Sequence, residues 1–367
     1  MTTSIPKTMR AVVLTGHGGF DKLNYVEDWP TPTPAAGEVL VKVAACGLNN
    51  TDINTRVGWY SKSVSGATDN DIESASGGDA TWGGSSVSFP RIQGADVVGV
   101  VVAIGQGAPR ELLGRRVLID TWLRDWDAPM DMEKAGYFGS ERDGGYADYT
   151  TISARHIHPI DSTMSDAELA TFATSYTTAE NMLNRASVTA DDTVVISGAS
   201  GGVGSALIQL AKRRGAKTVA LCATDKMAEM RMKLGATVVL SRHTKNFRAA
   251  LGEATGQDTA SVFADVVGGA QWPNFIDMLS RGGRYVCSGA IAGPIVEFDL
   301  RTFYLRDLTF FGGTVVSPGV FADVVGYIER GEIRPLLAKT FLLRDLAKAQ
   351  AMFLEKNFIG NIVVTME

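Results

Sequence analysis

Residues 193–216, TVVISGASGGVGSALIQLAKRRGA, constrain this chain more than any other stretch. A β-branched run ends at Ser197, a glycine-rich turn follows, and a helix opens near Gly202. Gly198, Gly201 and Gly204 take the three glycine positions of a dinucleotide fingerprint with widened spacing. Backbone amides at such a helix start can approach a pyrophosphate, and the helix dipole favours its negative charge. Ala199, Ser200, Gly202 and Val203 complete the loop and join the glycines as candidate cofactor ligands. The chain holds 40 glycines in 367 residues, so glycines alone mean little. The order of strand, loop, helix and second apolar strand, at 218–222, carries the inference.

The alternation continues downstream. Apolar strands are predicted at 237–240, 261–267, 283–288 and 308–311, with helices at 166–185, 205–214, 226–234 and 246–254. Strand and helix taking turns imply a parallel sheet with helices on both faces. The first half reads differently. Short strands at 9–14, 38–45, Asp96–Ile104 and 116–120 lie between glycine turns and predict a barrel-like β domain. The prolines of 30–34 mark an extended connector. Residues 61–88, rich in Ser, Gly, Asp and Ala, read as a long surface loop. A helix at 345–355 and a strand at Asn361–Thr365 close the chain, and that strand can return to the first domain.

Composition narrows the function. A net charge of -5 leaves no basic surplus to neutralise phosphates, so nucleic acid is not the expected partner. Cys46, Cys222 and Cys287 lie far apart and form neither a disulfide framework nor a four-cysteine zinc site. A reducing, cytoplasmic setting is expected. No run reaches the roughly 18 apolar residues of a spanning helix, so no membrane association is expected either. None of the four histidines sits in a metal-like arrangement, and His156 and His158, two apart, point to opposite sides.

The tip of the second strand bears on cofactor choice. NAD sites usually carry an acid there to hold the ribose hydroxyls. Here the strand ends Cys222-Ala223, and Thr224, Lys226 and Arg242 are placed to hold a 2′-phosphate. NADPH is therefore expected over NADH, with Asp225 as the residue that would reverse the preference.

Beyond the loop, MRAVVL, GEVLVKVAACGLNNTDINTRVGWY, FPRIQGADVVGVVVAIG, GGYADY, DVVGG, RGGRYVCSGAIAG and NFIGNIVV together resemble the medium-chain dehydrogenase/reductase superfamily. The resemblance implies an α/β chain with two domains. A GroES-like β-barrel catalytic domain spans residues 1–160 and 312–367, and a Rossmann domain, 161–311, is inserted in it. The active site is implied in the cleft between them. Zinc-dependent relatives place Cys, His and Cys ligands where this chain has Asn49, Ala95 and Thr174, so no zinc is expected. Asn49, Asp52, Arg56 and Gly58, followed by Tyr60, fit the N-x-x-D-x-x-x-R-x-G pattern of the zinc-free, NADPH-dependent quinone and enone reductases. Two departures, Asn54 at an often aromatic position and the long 61–88 loop, keep the substrate open.

Without a Lewis acid, hydrogen-bond donors must stabilise the oxygen that gains charge. Asn49, Asn50 and Thr51 are the first candidates, Thr51 matching a relay hydroxyl of the zinc relatives or else serving as a turn residue. Tyr60 is a proton donor or a pocket wall. Asp52 is read as structural, tying the turn to Arg56. By the same resemblance Thr178 faces the nicotinamide, Gly268, Ser288, Gly289 and Ala290 sit on loops near it, and Asn361 contacts NADPH. Trp122, Trp126, Tyr137 and Phe138 form a substrate wall or anchor the core. The resemblance implies reduction of quinones or activated C=C bonds. A zinc-free alcohol dehydrogenase or carbonyl reductase is the rival enzyme, and a non-catalytic nucleotide-binding protein the rival class. A homodimer is expected through the apolar edge at 308–311.

Overall fold

The computed structural model describes residues 4–68, 80–83 and 86–366. Residues 69–79, 84 and 85, nearly half of the expected 61–88 loop, lie outside the described residues.

The β-rich half forms a seven-stranded sheet. Its order is Ile157–Pro159, Arg116–Ile119, Asp96–Ile104, Glu38–Leu48, Asn361–Thr365 and Leu337–Leu342, with Tyr149–Ser153 also on Glu38–Leu48. The last strand does return: it runs antiparallel to Glu38–Leu48, with Val364 opposite Cys46. A three-stranded sheet joins Leu23–Pro30, Thr8–Leu14 and Arg91–Ile92. Val39, Val41, Val43, Val97, Val117, Ile152, Ile362 and Val364 fill this half's core. Leu23–Pro30 is a strand that residue pattern does not announce. It lies at the edge, largely half-exposed, and its terminal Pro30 needs no ladder donor.

The second half is a six-stranded parallel sheet ordered Val238–Ser241, Lys217–Cys222, Thr193–Ile196, Ala260–Asp265, Leu279–Cys287 and Thr309–Gly312. Val194, Val195 and Ile196 are fully buried, because helices cover both faces of the sheet. Strand order reverses between Thr193–Ile196 and Ala260–Asp265, which opens a crevice at their carboxyl ends. The helices Ala173–Arg185, Gly202–Arg213 and Val320–Glu329 share one apolar cluster through Ala179, Met182, Leu207, Leu210, Val324 and Ile328.

The single helix expected over 166–185 is two, Asp166–Leu169 and Ala173–Arg185. The break has a cause in the other domain: Asp96, opening its barrel strand, accepts a 3.0 Å bond from Thr174 N and so caps the second helix. A second tie lies at the glycine loop, where Gly360 N donates to Ser200 O over 2.8 Å. Among the described residues no helix is long and apolar enough to cross a membrane.

Candidate active site

At the crevice, Gly202–Arg213 starts against the loop 198–201. Gly204 permits that packing: a Cβ there would overlap the Gly198 carbonyl and stand 2.7 Å from Ala199 Cα. At Gly202 a Cβ would overlap Ser175 Oγ and lie 2.7 Å from Asn361 Nδ2. Asn361 Nδ2 itself donates to Ser175 Oγ at 3.0 Å, so the last barrel strand braces the loop from behind. Gly201 faces free space, its virtual Cβ meeting only Gly198 O at 3.5 Å. The first amides of the helix, at Gly202, Val203 and Gly204, have no intrahelical acceptor. The fit to a dinucleotide pyrophosphate is therefore good. Ala199 is buried and its N–H donates to Leu221 O at 3.2 Å.

Around the second strand's tip, Thr224 and Arg242 are exposed. Thr224 Oγ1 lies 3.0 Å from Ser241 Oγ, and Arg242 N donates to Cys222 O at 2.8 Å. Lys226 is held elsewhere than expected. Its Nζ donates to Lys356 O at 2.7 Å and Phe358 O at 3.0 Å, which ties the Rossmann half to the barrel's closing turn. Arg242 and Thr224 remain as the exposed donors. Asp225 is exposed beside them.

At the other end of the crevice, buried Asp265 accepts Ser197 Oγ, Tyr285 Oη and the amides of Val267 and Gly268. Ser288 Oγ donates to Gly313 O at 2.7 Å, Gly289 passes against Val266, and Ala290 O accepts Gly293 N at 2.9 Å. These contacts hold the loops in shape. Thr178, half-buried, lies one turn beyond Thr174 on Ala173–Arg185.

The barrel's contribution centres on the helix Asn50–Val57. Asn49 caps it: its N–H donates to Asp52 Oδ2 at 2.8 Å, and Tyr146 Oη donates to the same oxygen at 3.0 Å. Burial pushes Asp52 up to about 7. The expected Asp52–Arg56 tie is corrected. Arg56 donates to Gln350 Oε1 at 2.8 Å and Gly18 O at 2.6 Å, because Asp52 is turned to its own helix start. Asn50 Oδ1 accepts from Lys356 Nζ at 2.8 Å, and burial lowers that amine to about 7.

Thr51 begins a chain of hydroxyls. Its Oγ1 donates to Tyr137 Oη at 3.5 Å, a long contact. Tyr137 Oη lies 2.6 Å from Thr174 Oγ1, which donates to Asp96 Oδ1 in a short bond. Burial lifts Asp96 to about 6 against the opposing effect of the Thr174 bonds. The other Asp96 oxygen and the Asn49 amide nitrogen are buried without partners. Tyr60 stands outside this chain, edge-on to Trp59 at 5.8 Å, and burial pushes its phenol up to about 12.

The structure thus gathers Asn49 and Thr51 with Tyr137, Thr174 and Asp96. Sequence places Tyr137 only in a substrate wall or core anchor and Thr174 only at a lost zinc-ligand position, and it gives Asp96 no role. Asp96 is the lone charge opening an apolar strand, DVVGVVVAI, and that was the available signal. Tyr137 was hidden among aromatics. It packs with Trp122 and Ala95 in a small core, ring centroids 5.3 Å from Trp122, while its hydroxyl turns to the threonines. Asn49, Ala95 and Thr174 present an amide, a methyl and a hydroxyl, a set that does not fit zinc. Among the described residues no group of three or more His, Cys, Asp or Glu is placed to hold a metal ion.

A dinucleotide cradle at the switch point of a parallel sheet, faced by barrel hydroxyls, defines a nicotinamide-dependent oxidoreductase. Residues 35–162 match the family model of the alcohol dehydrogenase GroES-like domain, and residues 202–330 that of the zinc-binding dehydrogenases. The chain belongs to the medium-chain dehydrogenase/reductase superfamily. It is similar to a crystal structure from Sinorhizobium meliloti 1021, named provisionally as an alcohol dehydrogenase, at 43% identity and a TM-score of 0.89, over 99% of this chain and 98% of that one. It is 24% identical to the quinone oxidoreductase of Rattus norvegicus, over 94% of this chain and 93% of the relative. It is also 24% identical to the acryloyl-coenzyme A reductase of Metallosphaera sedula, over 97% of this chain and all of the relative.

Proposed function

We propose that this chain is an NADPH-dependent reductase of quinones or activated C=C bonds that works without zinc. The hydroxyl chain Thr51–Tyr137–Thr174–Asp96 carries the reading, because Thr174 stands at one ligand position of the zinc relatives and Asp96 next to another, Ala95. The bound nicotinamide supplies the hydride. With acceptor bound and Asp96 protonated, the hydroxyls turn outward, Asp96 donating to Thr174, Thr174 to Tyr137, Tyr137 to Thr51, and Thr51, the half-buried end of the chain, to the acceptor carbonyl, where negative charge develops as the β-carbon is reduced. Tyr137 and Thr174 hold Thr51 in register, and Asp96 fixes Thr174. Asn49 keeps the helix start in place, and Asn50 is held by Lys356. An oxidation screen of NADPH with quinones, enones, enals, enoyl thioesters and aldehydes tests it; turnover confined to aldehydes contradicts it.

One observation favours a second reading. Asp96, with its affinity for a proton raised by burial, can pass one outward through Thr174, Tyr137 and Thr51. Such a delivery suits an alkoxide, so the same site serves a zinc-free carbonyl reductase. A non-catalytic nucleotide-binding protein has no use for either arrangement.

Zinc independence has a direct check. Chelator-washed protein should contain well under one zinc per chain and keep its activity. Stoichiometric zinc, with activity lost on its removal, contradicts the reading.

Preference for NADPH rests on Arg242 and Thr224. A charge-assisted bond to the 2′-phosphate contributes about 1.5–3 kcal/mol, on the order of ten- to a hundredfold at 1.4 kcal/mol per decade. Arg242→Ala should therefore lower kcat/KM for NADPH at least about tenfold and leave NADH within about twofold. Wild type preferring NADH, with Asp225→Ala lowering that efficiency, reverses the assignment.

Thr309–Gly312 is the edge of the six-stranded sheet. Ile295, Leu300, Tyr304 and Leu305, between 56% and 72% exposed, precede it in sequence. We infer a homodimer that pairs these edges. Light scattering at micromolar concentration should return twice the 39.1 kDa chain mass, and a monomer refutes it. Cys46, Cys222 and Cys287 are all unpaired, in keeping with a reducing, cytoplasmic setting.

A further inference from the structure

We infer that Lys356 is a cofactor ligand: its ammonium, carried on the barrel's closing turn, pairs with the dinucleotide pyrophosphate across from the glycine loop. The inference deepens the nicotinamide reading above and rests on it. Lys356 is half-buried and caps the end of the helix Leu346–Glu355.

Strand register places this amine beside the cradle. Ile362 lies opposite Leu48 in the antiparallel pair of Asn361–Thr365 and Glu38–Leu48. Continued past that rung, the register brings Asn361 beside Asn49 and Gly360 toward Asn50, at the roughly 5 Å spacing of neighbouring strands. Gly360 in turn bridges Gly201, and its N–H donates to Ser200 O at 2.8 Å. Asn50 Oδ1 accepts from Lys356 Nζ at 2.8 Å. The order across the cleft is therefore glycine loop, Gly360, then Asn50 with the ammonium beside it. Lys226 fixes the far side of the same turn, its Nζ donating to Lys356 O and Phe358 O. The turn thus runs along the crevice from the tip of the second strand to the glycine loop.

The amine has no counter-charge of its own. Its polar partner is the neutral amide oxygen of Asn50, and its other neighbour is the Phe353 ring, 4.0 Å from Nζ to centroid. Among the described residues no carboxylate forms an ion pair with it, and burial lowers it to about 7 with no opposing charge. The nearby carboxylates are turned elsewhere. Asp52 accepts from Asn49 N and Tyr146 Oη, while Glu355 and Asp225 are exposed. Asn50 opens an eight-residue helix, whose positive end disfavours a cation beside it. A half-buried ammonium between the starts of two helices is costly until an anion joins it. The nucleotide brings one to that place. Gly201 leaves free space there, a Cβ meeting only Gly198 O at 3.5 Å, and the amides that open Gly202–Arg213 bound it on the other side. Asn50 is then a positioning residue that aims the amine, and Thr51, next in the chain, serves the acceptor.

The test titrates the protein calorimetrically with four nucleotides: NADPH, NADH, ADP-ribose, which keeps the pyrophosphate without the nicotinamide, and 2′-AMP, which has no pyrophosphate. Lys356→Gln should raise Kd for NADPH, NADH and ADP-ribose alike, by about ten- to a hundredfold, the contribution of one charge-assisted bond. Its Kd for 2′-AMP should stay within about twofold of wild type. A variant that merely loosened the turn would weaken 2′-AMP as well, because Lys226, beside Thr224, is held by that turn. Should Lys356→Gln fail to fold, Lys356→Met, of similar length and suited to the Phe353 ring, takes its place. Unchanged affinity for ADP-ribose in a folded neutral variant, or an equal loss for all four nucleotides, overturns the inference and leaves the reductase reading standing. Wild-type protein that binds none of the four overturns both.

Discussion

Tyr137→Phe should lower kcat by about 10²–10³-fold, the loss seen when one donor to a developing oxyanion is removed. The ring is retained, so its packing against Trp122 and Ala95 survives. What disappears is the hydroxyl between Thr51 and Thr174, 2.6 Å from the latter. Thr51 then loses the partner that orients it, and Thr174 is left with Asp96 alone. The effect should fall on kcat and kcat/KM equally, because the interaction strengthens only as charge develops on the acceptor oxygen. Cofactor affinity should stay within about twofold, since Tyr137 belongs to the barrel side of the cleft. Thr51→Val should reproduce most of the loss, and the double variant should be little worse than either single one, as groups acting in one chain are not additive. Retention of more than about a third of wild-type kcat in Tyr137→Phe removes the hydroxyl chain from the mechanism.

Gly204→Val should weaken NADPH binding by more than about 100-fold, about 2.8 kcal/mol at 1.4 kcal/mol per decade. A side chain at this position runs into the Gly198 carbonyl and lies 2.7 Å from Ala199 Cα, so strand and helix must part and the loop loses its shape. Such overpacking also threatens folding. Gly201→Val separates the two effects. There a Cβ meets nothing nearer than 3.5 Å, so the fold stands, but the added side chain enters the space left for the pyrophosphate. Gly201→Val should therefore be folded by circular dichroism and still bind NADPH at least about tenfold more weakly. Unchanged affinity in a folded Gly201→Val protein places the pyrophosphate elsewhere.

The parts of this molecule legible in sequence are those decided by local order. After Asp96 the strand Asp96–Ile104 is apolar because it is a central strand, and its bounds follow from that run. The glycine loop is legible because strand, turn and helix follow one another in one segment and Gly204 packs on Gly198 within it, although Gly198 and Gly202 also answer neighbours far off in sequence, Val266 and Ser175. What sequence hides is decided across domains. The 166–185 helix breaks because a carboxylate far away in sequence, Asp96, caps its second half. Lys226 has the right place in sequence for a 2′-phosphate, yet it turns to carbonyls of the closing barrel turn. Asp52 and Arg56 have helical spacing for a pair, yet each has a better partner outside it. Tyr137 is the clearest case. Its ring obeys the core and its hydroxyl obeys the site, and pattern reading sees only the ring.

The central claim, hydride delivery to the β-carbon of an activated acceptor, is tested most directly with NADPH deuterated at the transferred position. An enone that the enzyme turns over is reduced with this cofactor and the product analysed by NMR. Deuterium on the carbon β to a retained carbonyl is the predicted result, and deuterium on a carbinol carbon, with the C=C bond intact, contradicts it.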